Sequence, residues 1–142
     1  MIKKKIFLPI IIAGAALAVI FMKDDGKIKK VPEKASVEAS STADRVGYFA
    51  SHGWEVEEIA GKSITVPEKF SDAYEEYAVL QDKQGMPLRE YAGKEAQLYV
   101  YEVKNYSPES KKMLAELLVC DDLAIASMVY SEDGGSLRLA VS

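Results

Sequence analysis

The stretch PEKFSDAYEEYAVLQDKQGMPLREYAGKEAQLYVYEV, residues 67–103, carries the strongest local structure signals in the chain. Pro67 suits the first turn of a helix, where its missing N–H costs no hydrogen bond. One helical face then follows, with side chains at steps of four, three and four: Phe70, Tyr74, Tyr77 and Gln81. Gly85 suits the left-handed position that ends a helix. We therefore predict a helix that begins at Pro67 and ends before Gly85.

A β-strand is predicted over residues 96–104, after a turn at residues 91–94. Apolar residues alternate there with Gln97, Tyr99 and Tyr101, and β-branched and aromatic side chains dominate. Both faces of the strand carry bulky side chains. This is typical of a central strand that packs on the helix on one side and is partly covered on the other.

Gln81 and Gln84 lie beside the aromatic face of the predicted helix. We expect at least one of them to be half-buried. A structural hydrogen bond is the favoured interpretation, because buried polar groups are normally paired. A ligand-contacting amide is the alternative.

The segment before the helix predicts a shorter helix and a hairpin. Residues 41–44 resemble a capping box, with Asp44 in the position usually held by Glu or Gln, and Gly53 closes the helix. Val46, Phe49 and Ala50 mark its apolar face. Residues 54–57 and 63–66 alternate like strands, with Gly61 between them, so we predict a β-hairpin.

The segment after residue 104 is more ambiguous. Residues 107–118 are compatible with a helix, but we favour one helical turn at 108–112 and strands near 114–120 and 123–130. A turn at 131–135 precedes a last strand in which Leu137, Leu139 and Val141 alternate. The predicted order is α-β-β-α-β-β-β-β. We therefore expect an α+β fold with two helices on a mainly antiparallel sheet.

The N-terminus predicts a membrane segment. Residues 1–5 are basic, and residues 6–22 form an uncharged apolar run, at the short edge of what a bilayer requires. An uncleaved transmembrane signal anchor and a cleaved signal peptide are both compatible with this pattern, and the anchor is favoured. Residues 23–41 lack apolar periodicity and predict a flexible linker. We expect a single-pass protein of the cell membrane, with residues 42–142 as its extracytoplasmic domain.

Charge separates the two parts of the chain and limits the partners. Residues 1–41 carry eight Lys and four Asp or Glu, a net +4, whereas residues 42–142 carry ten Lys or Arg and eighteen Asp or Glu, a net −8. An acidic domain argues against binding nucleic acid, whose phosphates require a basic surface. We expect the membrane, through the N-terminal helix, and an envelope protein as partners.

No catalytic residue, metal ligand or cofactor site is predicted. The single cysteine, Cys120, excludes an intrachain disulfide and a Cys-rich zinc site, and it lies in an apolar run where buried, inert thiols are the norm. His52 is the only histidine, and its place beside Gly53 favours a helix C-terminus over a Cys–His dyad. The adjacent acids at 57–58 and 121–122 are better explained by turns and solvation than by catalysis.

Tyrosine is the one residue type that suggests a binding surface. Four tyrosines lie on or beside the predicted strand at 96–104, and tyrosine is enriched at interfaces because it joins apolar area to a polar tip. The predicted binding residues are Tyr91, Tyr99, Tyr101 and Tyr106. Packing of the second face of the sheet is the alternative explanation.

A set of short motifs also resembles a known family. The motifs are Gly-Trp-Glu-Val at 53–56, Val-Pro and Phe at 66–70, Tyr-x-x-Tyr at 74–77, Leu-Gln-Asp-Lys-Gln-Gly at 80–85, Tyr-Ala-Gly at 91–93, Tyr-Val-Tyr at 99–101 and Asn-Tyr at 105–106. Together they resemble a domain family of unknown function, DUF4830, found in membrane-anchored proteins of Gram-positive bacteria. The resemblance covers about residues 42–130. It implies a location and a fold, and no activity.

These features favour a membrane-anchored extracytoplasmic domain that binds a protein or envelope component without catalysis. A small extracytoplasmic enzyme with an unrecognised site is the alternative. A structural part of an envelope complex is a third interpretation. A polar cluster with shifted pKa values in a deep pocket favours the enzyme, whereas an exposed aromatic patch favours the binding module.

Overall fold

The computed structural model describes residues 36–142, which form one five-stranded antiparallel sheet and two α-helices. The elements in chain order are α1 (Thr42–Ser51), β1 (Val56–Thr65), α2 (Asp72–Gln84), β2 (Glu95–Val103), β3 (Met113–Cys120), β4 (Leu123–Ser131) and β5 (Arg138–Leu139). The strands lie in the order β1-β2-β3-β4-β5, and every neighbouring pair is antiparallel. The predicted α+β class with two helices on an antiparallel sheet is confirmed.

The predicted transmembrane run, residues 6–22, lies outside the described residues. Within residues 36–142, neither helix has the length and apolar character needed to cross a membrane.

The two helices belong to hydrophobic clusters that use different residues of the sheet. The α1 cluster contains Phe49 together with Tyr101, Leu117 and Val129 of the sheet. The α2 cluster contains Ala78 together with sheet residues that alternate with the first set, among them Ala96, Leu118 and Ala126. Because side chains alternate between the two sides of a strand, the helices cover opposite faces of the sheet.

The start of α1 follows the predicted capping pattern. The Oγ atom of Ser41 accepts a hydrogen bond of 3.0 Å from the backbone N–H of Asp44, which satisfies one of the free donors at the helix start. The buried face differs from the prediction, since Arg45, Tyr48 and Phe49 are buried. Ala50 is exposed.

The predicted hairpin over residues 54–66 is wrong, because β1 is one continuous strand from Val56 to Thr65. Gly61 is not a turn residue. It pairs with Tyr99 of β2, and a Cβ atom added to Gly61 would lie 3.1 Å from Cδ1 of the Tyr99 ring. A β-bulge between Glu58 and Ala60 shifts the register of β1 against β2, which explains why the strand lacks one continuous alternation.

The predicted start of the long helix at Pro67 is also wrong. The helix α2 begins at Asp72, after Ser71, whose side chain accepts a hydrogen bond of 3.2 Å from the N–H of Tyr74. Backbone hydrogen bonds of 2.8 Å join Val66 to Lys94 and to Gly93, and they hold this segment beside the loop before β2. The predicted end is confirmed, since Gly85 is in the left-handed conformation with φ of 74°.

The C-terminal half follows the strand interpretation rather than the helical one. A single 3-10 turn, Pro108–Ser110, precedes the hairpin of β3 and β4. Asp121 and Asp122 form its two-residue turn with φ of 52° and 65°, as the tight turns of twisted hairpins require. The last strand is shorter than predicted and consists of Arg138 and Leu139.

The folded part begins before Thr42. Ala39 donates a backbone hydrogen bond of 2.8 Å to Asp122, and Ala124 donates one of 2.9 Å to Val37. Ala39 is completely buried. Of the linker predicted over residues 23–41, residues 36–41 therefore belong to the folded unit, and the rest lies outside the described residues.

Candidate functional site

The four tyrosines predicted to bind do not form one surface. Tyr99 and Tyr101 lie on the α1 face of β2, where Tyr101 is completely buried. Tyr91 belongs to the cluster on the α2 face. Tyr106 is 39% exposed and packs edge-on against Trp54 with 5.7 Å between ring centroids.

Tyr99 and Tyr101 instead surround an ion pair between α1 and β1. Arg45 donates hydrogen bonds of 2.9 and 3.3 Å to the two carboxylate oxygens of Glu58. It also donates to the carbonyl oxygen of Ala39 at 3.0 Å, and its guanidinium carbon lies 3.7 Å from the centre of the Tyr99 ring. The Tyr101 hydroxyl donates a third hydrogen bond, of 2.9 Å, to Glu58. Here we call this group the Arg45 network.

The pKa shifts in the Arg45 network are those of a stable ion pair. Burial raises the pKa of Glu58, but the hydrogen bonds from Arg45, Tyr101 and Thr42 outweigh this effect, and the net pKa is lowered. Burial and the bond to Glu58 together raise the pKa of Tyr101. Arg45, Glu58 and the Tyr101 hydroxyl are all hydrogen-bonded to one another or to the backbone, so the arrangement is structural.

Gln81 and Gln84 are structural as well, as favoured by the sequence. The Gln81 amide exchanges two hydrogen bonds of 2.8 Å with the backbone N–H and C=O of Ser127. Gln84 also donates to the Ser127 carbonyl at 3.0 Å, and its oxygen accepts the N–H of Val141 at 2.6 Å. The two amides thus pair the outer edge of β4, which β5 leaves uncovered at this position.

The α2 face differs from the α1 face because the helix covers only part of it. Ala96, Leu118, Cys120 and Ala126 are buried under α2. Further along the same face, the following residues are only half-buried: Val100, Leu114, Glu116, Met128 and Tyr130. Val100, Glu116 and Met128 pair directly across three strands, and Leu114 pairs with Tyr130. We call these five residues the Glu116 surface.

Three tyrosine hydroxyls lie near the Glu116 carboxyl. Burial raises the pKa of Glu116, and its interaction with the Tyr77 hydroxyl only partly offsets this effect. Burial and the charge of Glu116 together raise the pKa values of Tyr74, Tyr77 and Tyr130. No hydrogen bond of standard geometry satisfies the buried hydroxyls of Tyr74 and Tyr77, although Glu116 lies close to Tyr77. In this cluster the Tyr77 hydroxyl thus has only its contact with Glu116, and the Tyr74 hydroxyl has no hydrogen bond.

A hollow of about 190 Å³ adjoins the Glu116 surface on the side of the β4–β5 turn. Met128, Tyr130, Gly134, Gly135 and Arg138 are among the residues that line it. The Nε atom of Arg138 donates to the carbonyl oxygen of Gly135 at 3.1 Å. No acidic side chain within residues 36–142 forms an ion pair with Arg138, which is exposed. Glu132 also lines the hollow, so an apolar floor is combined with a rim that carries charges of both signs.

Sequence reasoning missed Glu116, although a signal was present. The segment MLAELLVC, residues 113–120, was predicted mostly as a strand, and Glu116 is its only charged residue. A charge at an alternating position of an apolar strand faces the packed side of the sheet, where it requires a partner. The sequence pattern thus identifies Glu116 as an unusual residue, but it does not show which side chains surround it.

The other chemical candidates from the sequence are separated or paired. His52 packs against Tyr48 near the α1 face, whereas Cys120 is buried on the α2 face, so they do not form a dyad. Burial raises the pKa of the Cys120 thiol. In the described part of the chain, no three His, Cys, Asp or Glu side chains are grouped as metal ligands.

The fold and site define an α+β domain with one completed face and one partly open face. A family model matches residues 48–133, and its description is a domain of unknown function, DUF4830. The chain belongs to this family, as its motifs suggested. No curated protein and no solved structure matches the chain significantly.

Proposed function

We propose that this protein is a membrane-anchored extracytoplasmic module that binds a protein or envelope component through the Glu116 surface, without catalysis. The observation that carries the binding role is the contrast between the two faces. The Arg45 network is complete and buried, whereas the five residues of the Glu116 surface are only half-buried. A bound partner would cover the apolar area that α2 leaves accessible.

The anchor and the location rest on the N-terminal sequence. The apolar run at residues 6–22, preceded by three lysines, favours insertion with the N-terminus in the cytoplasm and the domain outside. The net charge of −8 over residues 42–142 also suits a domain that stands away from anionic lipid.

A labelling experiment tests the location. Val79 is 40% exposed on α2, whereas Cys120, the only native thiol, is 6% exposed. We expect a membrane-impermeant maleimide to label Val79→Cys in intact cells and to leave the wild type unlabelled. Labelling of Val79→Cys only after permeabilisation would place the domain inside the cell and contradict the proposal.

A capture experiment tests the binding role. Full-length protein in mild detergent would be used as bait with native membrane extracts, alongside Met128→Glu and Arg138→Glu. Val79→Glu is the control matched to Met128→Glu, because it adds the same single negative charge at an exposed position of α2 outside the five residues of the Glu116 surface. The proposal requires a partner that the wild type and the control retain and that both surface variants lose, with folding checked by circular dichroism. A partner that all four proteins retain would exclude the Glu116 surface.

A small enzyme remains the second candidate, and Glu116 is the observation that favours it. A carboxylic acid with a raised pKa beside tyrosine hydroxyls is a suitable proton donor. Catalysis by this group would also need a nucleophile or second acid at substrate distance. Within residues 36–142, the neighbours of Glu116 are tyrosines, Met128 and aliphatic side chains, so we favour binding.

A further inference from the structure

The two outer edges of the sheet differ in how they are covered. On the outer edge of β4, Ala124 donates a backbone hydrogen bond of 2.9 Å to Val37. Further along, Gln81 bonds both backbone groups of Ser127 at 2.8 Å, and β5 pairs with the last part of the strand. The outer edge of β1, by contrast, pairs with no other strand among residues 36–142. The sheet therefore has one closed edge and one open edge, which presents unpaired N–H and C=O groups to another chain.

We propose that the open edge of β1 pairs with β1 of a second copy of this chain, so that the two sheets join into one continuous antiparallel sheet. The pairing is isologous, with a two-fold axis between Ile59 and Ala60. The residues from Ile59 to Ser63 are all exposed, and the Ile59 side chain is 53% exposed. This interface lies at the opposite side of the sheet from β4 and does not depend on the function proposed for the Glu116 surface.

Hydrogen bonds at the two ends of β1 determine which backbone groups face outward. Val66 donates to Lys94 at 2.8 Å, so the backbone groups of Val66 face the β2 side. At the other end, Lys104 donates to Glu55 at 2.7 Å, so Glu55 faces β2 as well. Because backbone groups alternate between the two sides of a strand, every second residue from each end up to the β-bulge faces outward. The outward residues are Val56, Glu58, Gly61, Ser63 and Thr65.

The β-bulge selects the register between the two copies. The two-fold axis places Glu58 opposite Gly61 of the second copy, and Val56 opposite Ser63. All four residues face outward, so each pair can form two backbone hydrogen bonds, and symmetry repeats both pairs. Gly61 has no side chain and leaves room beside Glu58, which Arg45 holds on the α1 face. A register centred on Ser63 would pair only the outward residues on one side of the bulge.

Charge complementarity supports the same register. Lys62 lies opposite Glu57 of the second copy, and opposite charges directly across neighbouring strands are stabilising. Lys62 forms no ion pair within the described part of the chain, and Glu57 contacts Lys104 at 3.1 Å through only one of its carboxylate oxygens. A lysine and a bulge ordinarily protect an edge strand from other chains. A second copy, however, supplies the acid opposite this lysine and an identical bulge.

An exchange of charges tests both the partner and the register. Full-length protein in mild detergent would be examined by analytical ultracentrifugation as wild type, Glu57→Lys, Lys62→Glu and the double variant. Each single substitution replaces two opposite-charge pairs with two like-charge pairs and should raise the dimer dissociation constant about tenfold or more. The double variant should restore the wild-type value. Glu76→Lys, the same charge change at an exposed position of α2, is the control and should leave the constant unchanged.

Hydrogen exchange gives a second measurement that does not depend on charge. The outward N–H groups of Gly61 and Ser63 should be protected above the dissociation constant and should exchange rapidly below it. The N–H groups of Lys62 and Ile64 face β2, so they should be protected at both concentrations and serve as the internal reference.

Four outcomes would overturn the inference. A monomer at every concentration whose Gly61 and Ser63 amides are protected would show that another segment of the same chain, such as residues 23–35, occupies the edge. A monomer with unprotected amides would show that the edge stays free. A dimer that neither single substitution weakens would place the interface elsewhere in the chain. Weakening without rescue in the double variant would exclude the register in which Lys62 opposes Glu57.

Discussion

The two faces of the sheet use the same side-chain types in opposite ways. On the α1 face, a carboxylate, a tyrosine and an arginine satisfy one another in the Arg45 network. On the α2 face, the Glu116 carboxyl lies among three tyrosines, and no cation among residues 36–142 forms an ion pair with it. Since buried polar groups are normally paired, folding alone explains the first arrangement, whereas the second is the basis of the proposed binding role.

The largest expected effect comes from breaking the Arg45 network. Arg45→Met would leave Glu58, whose side chain is 19% exposed, without its cation. We expect a loss of about 3 kcal/mol in the free energy of unfolding, at the low end for a buried ion pair because Tyr101 and Thr42 still donate to Glu58. Urea denaturation would measure it. Lys62→Met, which removes an exposed cation of β1, is the control, and a similar loss in both variants would contradict a specific network.

The next largest effect concerns the edge of β4. The Gln81 side chain is fully buried, and leucine has about the same volume. Gln81→Leu therefore removes both hydrogen bonds to the Ser127 backbone without leaving a large cavity. The N–H of Ser127 would then lack a partner, whereas its carbonyl would keep Gln84. We expect a loss of about 2 kcal/mol, the typical cost of an unpaired buried donor.

The control for the edge prediction is an exposed glutamine of the same sheet. Gln97 bonds only to the Ser63 hydroxyl, and Gln97→Leu should change stability by less than about 0.5 kcal/mol. Equal losses of unfolding free energy for the two substitutions would show that the hydrogen bonds between Gln81 and Ser127 contribute no more than a surface contact.

Elements with local signals could be predicted from the sequence. Ser41 caps α1 and Gly85 ends α2, because caps and left-handed glycines depend on a few neighbouring residues. The start of α2 shows the limit of such reasoning, since Pro67 and Ser71 are both plausible helix starts. The pairing of Val66 with the loop before β2 selects Ser71, and that contact is not local.

Long-range contacts explain the other differences. Gly61 suggested a turn. In the structure it lies in β1, where the absence of a side chain leaves room for the ring of Tyr99, 38 residues later in the chain. Tyr101 was predicted as a surface residue, but it meets Glu58, which lies 43 residues away in sequence. The tyrosines around Glu116 come from α2 and β4, so their grouping requires the order of strands, which the sequence pattern did not determine.

A matched pair of hydroxyl deletions sharpens the comparison between the faces. Tyr101→Phe removes a hydrogen bond to a charged acceptor and should cost about 1.5 kcal/mol. Tyr77→Phe removes a buried hydroxyl whose contact with Glu116 lacks standard hydrogen-bond geometry, and it should be neutral or slightly stabilising. Chemical denaturation of both variants measures the two changes in the free energy of unfolding. Loss of more than about 1 kcal/mol for Tyr77→Phe would show that its hydroxyl has a partner, such as bound water.

The smallest expected effect is the pH dependence of the two carboxyl groups, which should have opposite signs. The lowered pKa of Glu58 gives stability that is present above the unfolded-state value, about 4.3, and is lost as pH falls through the folded-state pKa. The raised pKa of Glu116 gives stability that is present below about 4.3 and is lost as pH rises through its folded-state pKa.

Glutamine substitutions test these opposite pH dependences, with the free energy of unfolding measured at neutral and at acid pH. Glu116→Gln should be more stable than wild type at neutral pH, because it removes a charge that the fold disfavours, and this advantage should disappear below about pH 4. Glu58→Gln should be less stable at neutral pH, with a deficit that shrinks in acid. Gln97→Leu, which changes no titratable group, should keep the pH dependence of the wild type. A Glu116→Gln variant less stable than wild type at neutral pH would show that the fold already supplies a partner for this carboxylate, and the contrast between the two faces would no longer indicate a binding site.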